Sequence, residues 1–208
     1  YLIFFLICFQ GFIGWYMVQS GLSERIDVSH FRLSAHLFIA FLILSLIFWN
    51  YLNIKLSIDI SNRINPVIPF LFLILVFMQI VIGAFVSGMD AGKIYNSWPY
   101  MGSSFFPDDN NFANLFKISA LSDPSLVQFI HRNLAYIIAV FYISIFYKIY
   151  KNKMRDLYKS VNLLGCFITL QIILGIYTVI YGAQIYIASM HQISSIFLVS
   201  SSIYFFYI

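Results

Sequence analysis

Six stretches of this chain, 1–20, 34–52, 66–88, 126–147, 160–181 and 186–208, run with no Lys, Arg, Asp or Glu except Arg132. A helix needs about 20 apolar residues to cross the ~30 Å hydrocarbon core of a bilayer, so each stretch is long enough to span. Lipid offers the backbone no hydrogen-bond partners, which restricts spanning segments to helices or closed barrels. A barrel strand alternates polar and apolar residues, and Phe70-Leu71-Phe72-Leu73-Ile74-Leu75-Val76-Phe77 has no such alternation. The pattern predicts an all-α, polytopic membrane protein. Charge agrees: 10% of the residues are Asp, Glu, Lys or Arg, against about 25% in soluble domains.

The loops between the spans differ in charge, which sets an expected orientation. Segment 53–65 carries net +1 and segment 148–160 net +4, whereas 21–33 is neutral, 89–125 carries net −2 and 182–186 has no charge. Cations collect on the cytoplasmic side, so Tyr1 is expected inside and loops 21–33, 89–125 and 182–186 outside. Five of the twelve Lys and Arg lie between Lys148 and Lys159 and the rest scatter over helix ends. The net charge of +4 therefore reads as a juxtamembrane loop, not as a nucleic-acid surface. Cys8 and Cys166 fall inside apolar runs without metal-site spacing and are expected to be packing residues. No basic segment or small-residue cleavage site opens the chain, so its start is not read as a signal peptide. Both ends lie inside apolar runs and look cut.

An internal repeat is visible. Gln10, Gly14, Tyr16, Val18 and Gly21 match Gln171, Gly175, Tyr177, Val179 and Gly182 at one offset of 161. A short loop and a histidine-bearing span follow each copy, which implies two related bundles of helices.

Three of the four histidines, His36, His131 and His191, fall within the spans, each near the expected outer end of a helix running inward. His30 lies in loop 21–33 and is expected to be solvated or interfacial. Ionisable groups in a membrane are costly and mark functional sites by default. A small residue follows each of the three four positions later (Ala40, Ala135, Ser195), on the same helix face. Zinc or copper would want Cys, Asp or Glu near the histidines, and none accompanies them in the helices. Haem needs one or two axial imidazoles and an apolar slot, to which Gly14, Gly83, Gly88 and Gly175 are suited. Arg32, Lys93 and Arg132 are the candidate propionate partners at the outer rim.

The long segment from Gly83 through Asp90-Ala-Gly-Lys-Ile-Tyr-Asn-Ser-Trp-Pro-Tyr-Met-Gly102 to Asp109 is dense in Gly, Asn, Pro and aromatic residues, a composition common in functional lids. It resembles the signature loop of haem A synthase, in the branch shared by mitochondria and related bacteria. Gln10-Gly-Phe-Ile-Gly-Trp-Tyr-Met-Val-Gln-Ser-Gly21, Arg32-Leu-Ser-Ala-His36 and Gln128-Phe-Ile-His-Arg132 are similar to other motifs of that family. The resemblance implies two pseudo-repeated four-helix bundles, of whose eight helices six are visible here. It further implies oxidation of the C8 methyl of haem O to the formyl group of haem A, for cytochrome oxidase biogenesis. His131 and His191 would then hold a haem b, and His36 one side of the substrate haem. Its partner and an outward Glu would lie on helices this chain lacks, so the catalytic residues stay unassigned. Residues 1–52 are read as the remainder of the N-terminal bundle, 53–65 as a cytoplasmic loop and 66–208 as the C-terminal haem b bundle with its outward loop 89–125. The implied setting is the bacterial inner membrane, or the mitochondrial one, with haem sites toward the outer face. Candidate partners beyond haem O and lipid are haem O synthase, an electron acceptor and a second copy of the chain. The alternative is a non-catalytic di-haem, cytochrome b-like electron carrier. A transporter is the remaining rival, disfavoured because the repeat is parallel.

Overall fold

The structure, a computed structural model, describes residues 1–19, 28–56 and 64–208. Gly21 of the repeat, the loop charges Glu24, Arg25 and Asp27, and Asp59 and Arg63 of segment 53–65 lie outside the described residues. Six long helices account for the apolar runs: α1 (Leu2–Gln19), α2 (His30–Lys55), α3 (Val67–Gly88), α4 (Pro124–Lys151), α5 (Tyr158–Ile180) and α6 (Ile185–Tyr207). Among the described residues the only β-type pairing is an isolated bridge between Met101 and Ser104.

Five of the six helices are long and apolar enough to cross a membrane; α6 is not in that set. Its 23 residues, about 34 Å at 1.5 Å per residue, suffice in length. What lowers its hydropathy is Ser189, Ser194, Ser195 and the run Ser200-Ser201-Ser202. Four of these hydroxyls donate to carbonyls of their own helix: Ser194 to His191, Ser195 to Gln192, and Ser201 and Ser202 to Leu198. These polar groups are thereby satisfied without water.

The helix ends follow from local chemistry. Asp123 caps α4 by accepting from the Leu126 N–H at 3.1 Å, and Pro124, which has no N–H to satisfy, takes the first helical position. Lys148 and Lys151 sit in the last turn of α4, where the carbonyl ends favour cations. Between α5 and α6 the chain turns through Gly182 and Ala183, both at positive φ, and the Ala183 N–H closes the turn on the Thr178 carbonyl at 2.8 Å.

α3, α4, α5 and α6 form a bundle, with α3 against α4 and α6, and α5 against α6 and, less extensively, α4. α2 packs on α3 and α6 as well as on α1. α2 therefore packs across segment 53–65 onto the helices that follow it. The largest fully buried apolar residues, among them Phe72, Ile149, Leu157, Leu164, Ile203 and Phe205, gather where α3 and α5 begin and α4 and α6 end. The other end is looser: no residue from 169 to 193, which spans the α5–α6 hairpin, is buried. Cys8 and Cys166 are free and exposed on the helix surfaces. That corrects their expected packing role. Their apolar neighbours face outward as well, and in a membrane such a surface meets lipid.

Candidate functional site

α2, α4 and α6 start at the same end of the structure, and each carries its histidine about two turns in. His36 is the seventh residue of α2, His131 the eighth of α4 and His191 the seventh of α6. At 1.5 Å per residue all three lie roughly 10 Å from the helix start.

Each histidine is held from the preceding helix. On α1 the Gln10 Nε2 lies 3.0 Å from the His36 carbonyl oxygen and 3.2 Å from the ring Nε2. On α3 the Gln79 Nε2 repeats both distances to His131, 3.0 and 3.2 Å. On α5 the Gln171 Nε2 lies 3.0 Å from the His191 carbonyl oxygen, but its second contact is the Ser194 hydroxyl at 2.7 Å. One turn after each glutamine a glycine accepts the ring edge. A Cβ built at Gly14, Gly83 or Gly175 would meet Cε1 of His36, His131 or His191 at 3.1, 3.1 and 3.2 Å. A side chain at any of the three would press the ring back by a few tenths of an ångström.

Two of these residues, Gln79 and Gly83, escape a reading of the sequence as a twofold repeat. The signal was present: Gln79-x3-Gly83 is a third copy of the Gln10-x3-Gly14 and Gln171-x3-Gly175 frame. The room near each ring comes from these glycines across the hairpin. Ser195, expected to leave space below His191, is half-buried and donates to the Gln192 carbonyl.

Gly88 serves the fourth histidine. His30 does not lie in a solvated loop; it is the first residue of α2 and half-buried. Its ring meets Phe85 edge-on at 5.3 Å, and its Cα and Cβ would lie 2.9 Å from a Cβ at Gly88. A half-buried side chain at a helix start agrees with the interfacial setting expected; only the boundary differs, since the close approach of α2 to α3 at Gly88 accompanies a helix that begins earlier than the apolar run.

The three candidate cations stand in different settings. Arg32 lies over the Tyr16 ring at 4.8 Å. Lys93 pairs with Asp90 at 2.8 Å on the surface. Arg132 is buried beneath the segment between α3 and α4, donating to the carbonyls of Tyr95 at 2.8 Å, Ser97 at 2.9 Å and Tyr100 at 3.4 Å. Its Nε is the one guanidinium nitrogen left without a partner.

That segment, expected as a lid, is built from specific contacts. Gln128 donates to the Tyr95 carbonyl at 3.0 Å, and Trp98 Nε1 donates to the Tyr136 hydroxyl at 2.9 Å. The backbone N–H and hydroxyl of Ser103, with the Ser104 hydroxyl, hold the Asp108 carboxyl below its ordinary range. Gly102 sits at φ +88° directly against that carboxylate, where a side chain would collide. Burial, with a further contribution from Asp109, pushes the Tyr95 phenol up. Asn96 ties the segment to the end of α5, its Nδ2 lying 3.0 Å from both the Gly92 and Val179 carbonyl oxygens. Asn96→Ala should therefore loosen the segment from α5 at a cost of about 1–2 kcal/mol, read as faster proteolytic cleavage within 89–125. Unchanged cleavage would show that the other contacts hold the segment.

A cleft of about 530 Å³ opens between α3 and α4, lined by Leu75, Asn133, Tyr136, Ile137, Val140 and their neighbours. At 100° per residue these α4 positions face roughly away from His131, so the cleft is not the space between the imidazoles.

The donor set can be tested against a haem. Among the described residues no three His, Cys, Asp or Glu side chains converge as a set that could hold a bare metal ion. Iron porphyrin brings its own equatorial nitrogens and asks for axial imidazoles alone. Nδ1 of His36, His131 and His191 is buried without a partner, so no other side chain already claims both ring nitrogens. The residues fit the group.

Residues 1–203 match a family of proteins described as cytochrome oxidase assembly protein. The chain is 50% identical over 201 residues to a protein of Pelagibacter ubique named Heme A synthase, covering 97% of this chain and 59% of that one. It is 40% identical over 206 residues to a Rickettsia bellii protein of the same name (96% and 60%), and 37% identical over 202 residues to one of Flavobacterium johnsoniae (94% and 59%). The chain thus spans about three fifths of the length of these relatives. No solved structure matches it.

Proposed function

The chain belongs to the cytochrome oxidase assembly protein family, and from that premise we propose that it acts as a haem A synthase, an oxidoreductase that converts the C8 methyl of haem O to the formyl group of haem A. His131 and His191 are the axial ligands of a haem b, and His36 faces the substrate haem. The observation that carries this reading is the pair His131 and His191: two imidazoles from α4 and α6, at one level, each lodged against a glycine of the preceding helix. The relatives' shared name supports the reaction.

A bound iron porphyrin supplies the electron-transfer and oxidation chemistry. The chain's own residues hold and orient it. Gln79 and Gln171 anchor the two histidines from the side, and the apolar surface of the α5–α6 hairpin around Gly175 excludes water. Arg32, near His36 on α2, is the cation best placed to meet a propionate there. Lys93 is already neutralised by Asp90, and Arg132 is engaged with loop carbonyls. Cation-rich 148–160 lies at the opposite end from the imidazoles, which supports a bacterial inner membrane setting with the haem sites toward the outer face.

The full-length protein, produced in cells lacking their own enzyme, should convert haem O to haem A, read by chromatography of extracted haems. Bound haem b without haem A formation would replace this reading with that of an electron carrier. A pyridine haemochrome assay returning no haem would remove the haem reading altogether.

A further inference from the structure

The three helix hairpins share one device. The first helix carries Gln-x3-Gly, and the second carries the histidine that both residues touch. The amide's orientation follows from its contacts. In all three hairpins the amide nitrogen lies 3.0 Å from the histidine carbonyl oxygen, an acceptor, so the NH₂ and not the oxygen must face it. That leaves one N–H, and at His36 and His131 it points at the ring Nε2, 3.2 Å away. Nε2 then accepts, and the proton of the neutral ring resides on Nδ1. The amide N–H then occupies the Nε2 lone pair, so a metal could take that nitrogen only once the amide has turned away. The glycine adds a second restraint. With Cε1 lodged against the helix at 3.1–3.2 Å from where a Cβ would be, and Nε2 tied to the amide, the ring has little freedom to rotate.

The third hairpin departs in one respect. Ser194 stands one turn beyond His191, at the place occupied by Ile39 after His36 and Leu134 after His131. Its hydroxyl takes the second N–H of Gln171 at 2.7 Å and passes its own proton to the His191 carbonyl oxygen at 2.9 Å. The His191 ring is thus left without the amide contact that the other two rings have.

We propose that Gln10, Gln79 and Gln171 are positioning residues. From the preceding helix each anchors its histidine; Gln10 and Gln79 also set the ring's tautomer and rotation, whereas Ser194 diverts Gln171 and leaves the His191 ring free of that restraint. The value of this device rests on the haem reading above, but the device itself does not require haem to be present. The two axial imidazoles of the C-terminal pair are consequently unlike: His131 is pre-set and His191 adjustable.

The test uses the full-length protein in detergent. In the haem-free form, ¹⁵N spectra of histidine should show His131 Nε2 as a hydrogen-bonded acceptor, and Gln79→Leu should abolish that signal in favour of mixed tautomers. Ser194→Ala should give His191 the same hydrogen-bonded Nε2 signal. Iron at Nε2 must displace the amide, so Gln79→Leu should take up haem more readily than wild type and shift the low-spin electron paramagnetic resonance g-values, which report ring rotation. Gly83→Ala should shift the g-values with the amide intact. A Gln79→Leu protein with wild-type ¹⁵N tautomers, haem uptake and g-values would overturn the proposal. If His131→Ala also kept its haem spectrum, the haem reading would fall instead, and the haem-free spectra would still decide the role of the glutamines.

Discussion

Alanine in place of His131 or of His191 is expected to abolish the low-spin haem spectrum of the full-length protein. Low-spin iron of this kind needs two strong axial donors. The two imidazoles come from α4 and α6 at one level, and among the described residues no set of three or more His, Cys, Asp or Glu converges there to offer a substitute. Either variant should leave high-spin iron with one imidazole, or lose the haem outright. Exogenous imidazole separates ligand loss from misfolding. Each vacated ring has a glycine opposite it, Gly83 or Gly175, so a free imidazole should enter and restore part of the low-spin signal. His36→Ala is the control: its ring is held by α1 in a separate hairpin, and the C-terminal spectrum should persist. If both His131→Ala and His191→Ala kept wild-type spectra, the ligand assignment would be wrong.

The helices were legible because lipid leaves a chain few options. All six expected spans correspond to helices, with ends displaced by a few residues wherever a cap or a close approach decides the boundary. Asp123 and Pro124 start α4 before its apolar run, and Gly88 lets α2 begin at His30. The three histidines were legible for the same reason, being ionisable groups within spans. What composition hides is anything settled between helices. Gln79 acts on a residue 52 positions away, Gly83 on the same one, and the geometry of the hairpin shows what their copying of Gln10 and Gly14 does. The four helix glycines read as a generic slot prove to be specific: each faces one of the four histidines. Arg132 is the reverse case, a cation expected at a ligand that the fold uses elsewhere. Its neighbours along the sequence give no hint that the carbonyls of Tyr95, Ser97 and Tyr100 fold back over it.

Those carbonyls make Arg132 the position where a single change should cost the most stability in the outer segment. The side chain is only 7% exposed, and its two terminal nitrogens reach three acceptors on a stretch with no regular structure of its own. Hydrogen bonds to a charged group contribute about 1.5–3 kcal/mol each. Water reaching the freed loop carbonyls would offset part of that, so Arg132→Leu should destabilise by about 2–4 kcal/mol, above the cost of Asn96→Ala. Lysine is no substitute. A point ammonium cannot reach separate carbonyls with a rigid fork, and Arg132→Lys should recover about half the loss at most. The checks are the thermal unfolding midpoint of the detergent-solubilised protein and the rate of proteolytic cleavage within 89–125. Because Gln79 holds His131 from α3 and not through the segment, the low-spin spectrum should outlast the loosening. An Arg132→Leu segment as protease-resistant as wild type would show that Gln128, Trp98 and Asn96 hold it without the guanidinium.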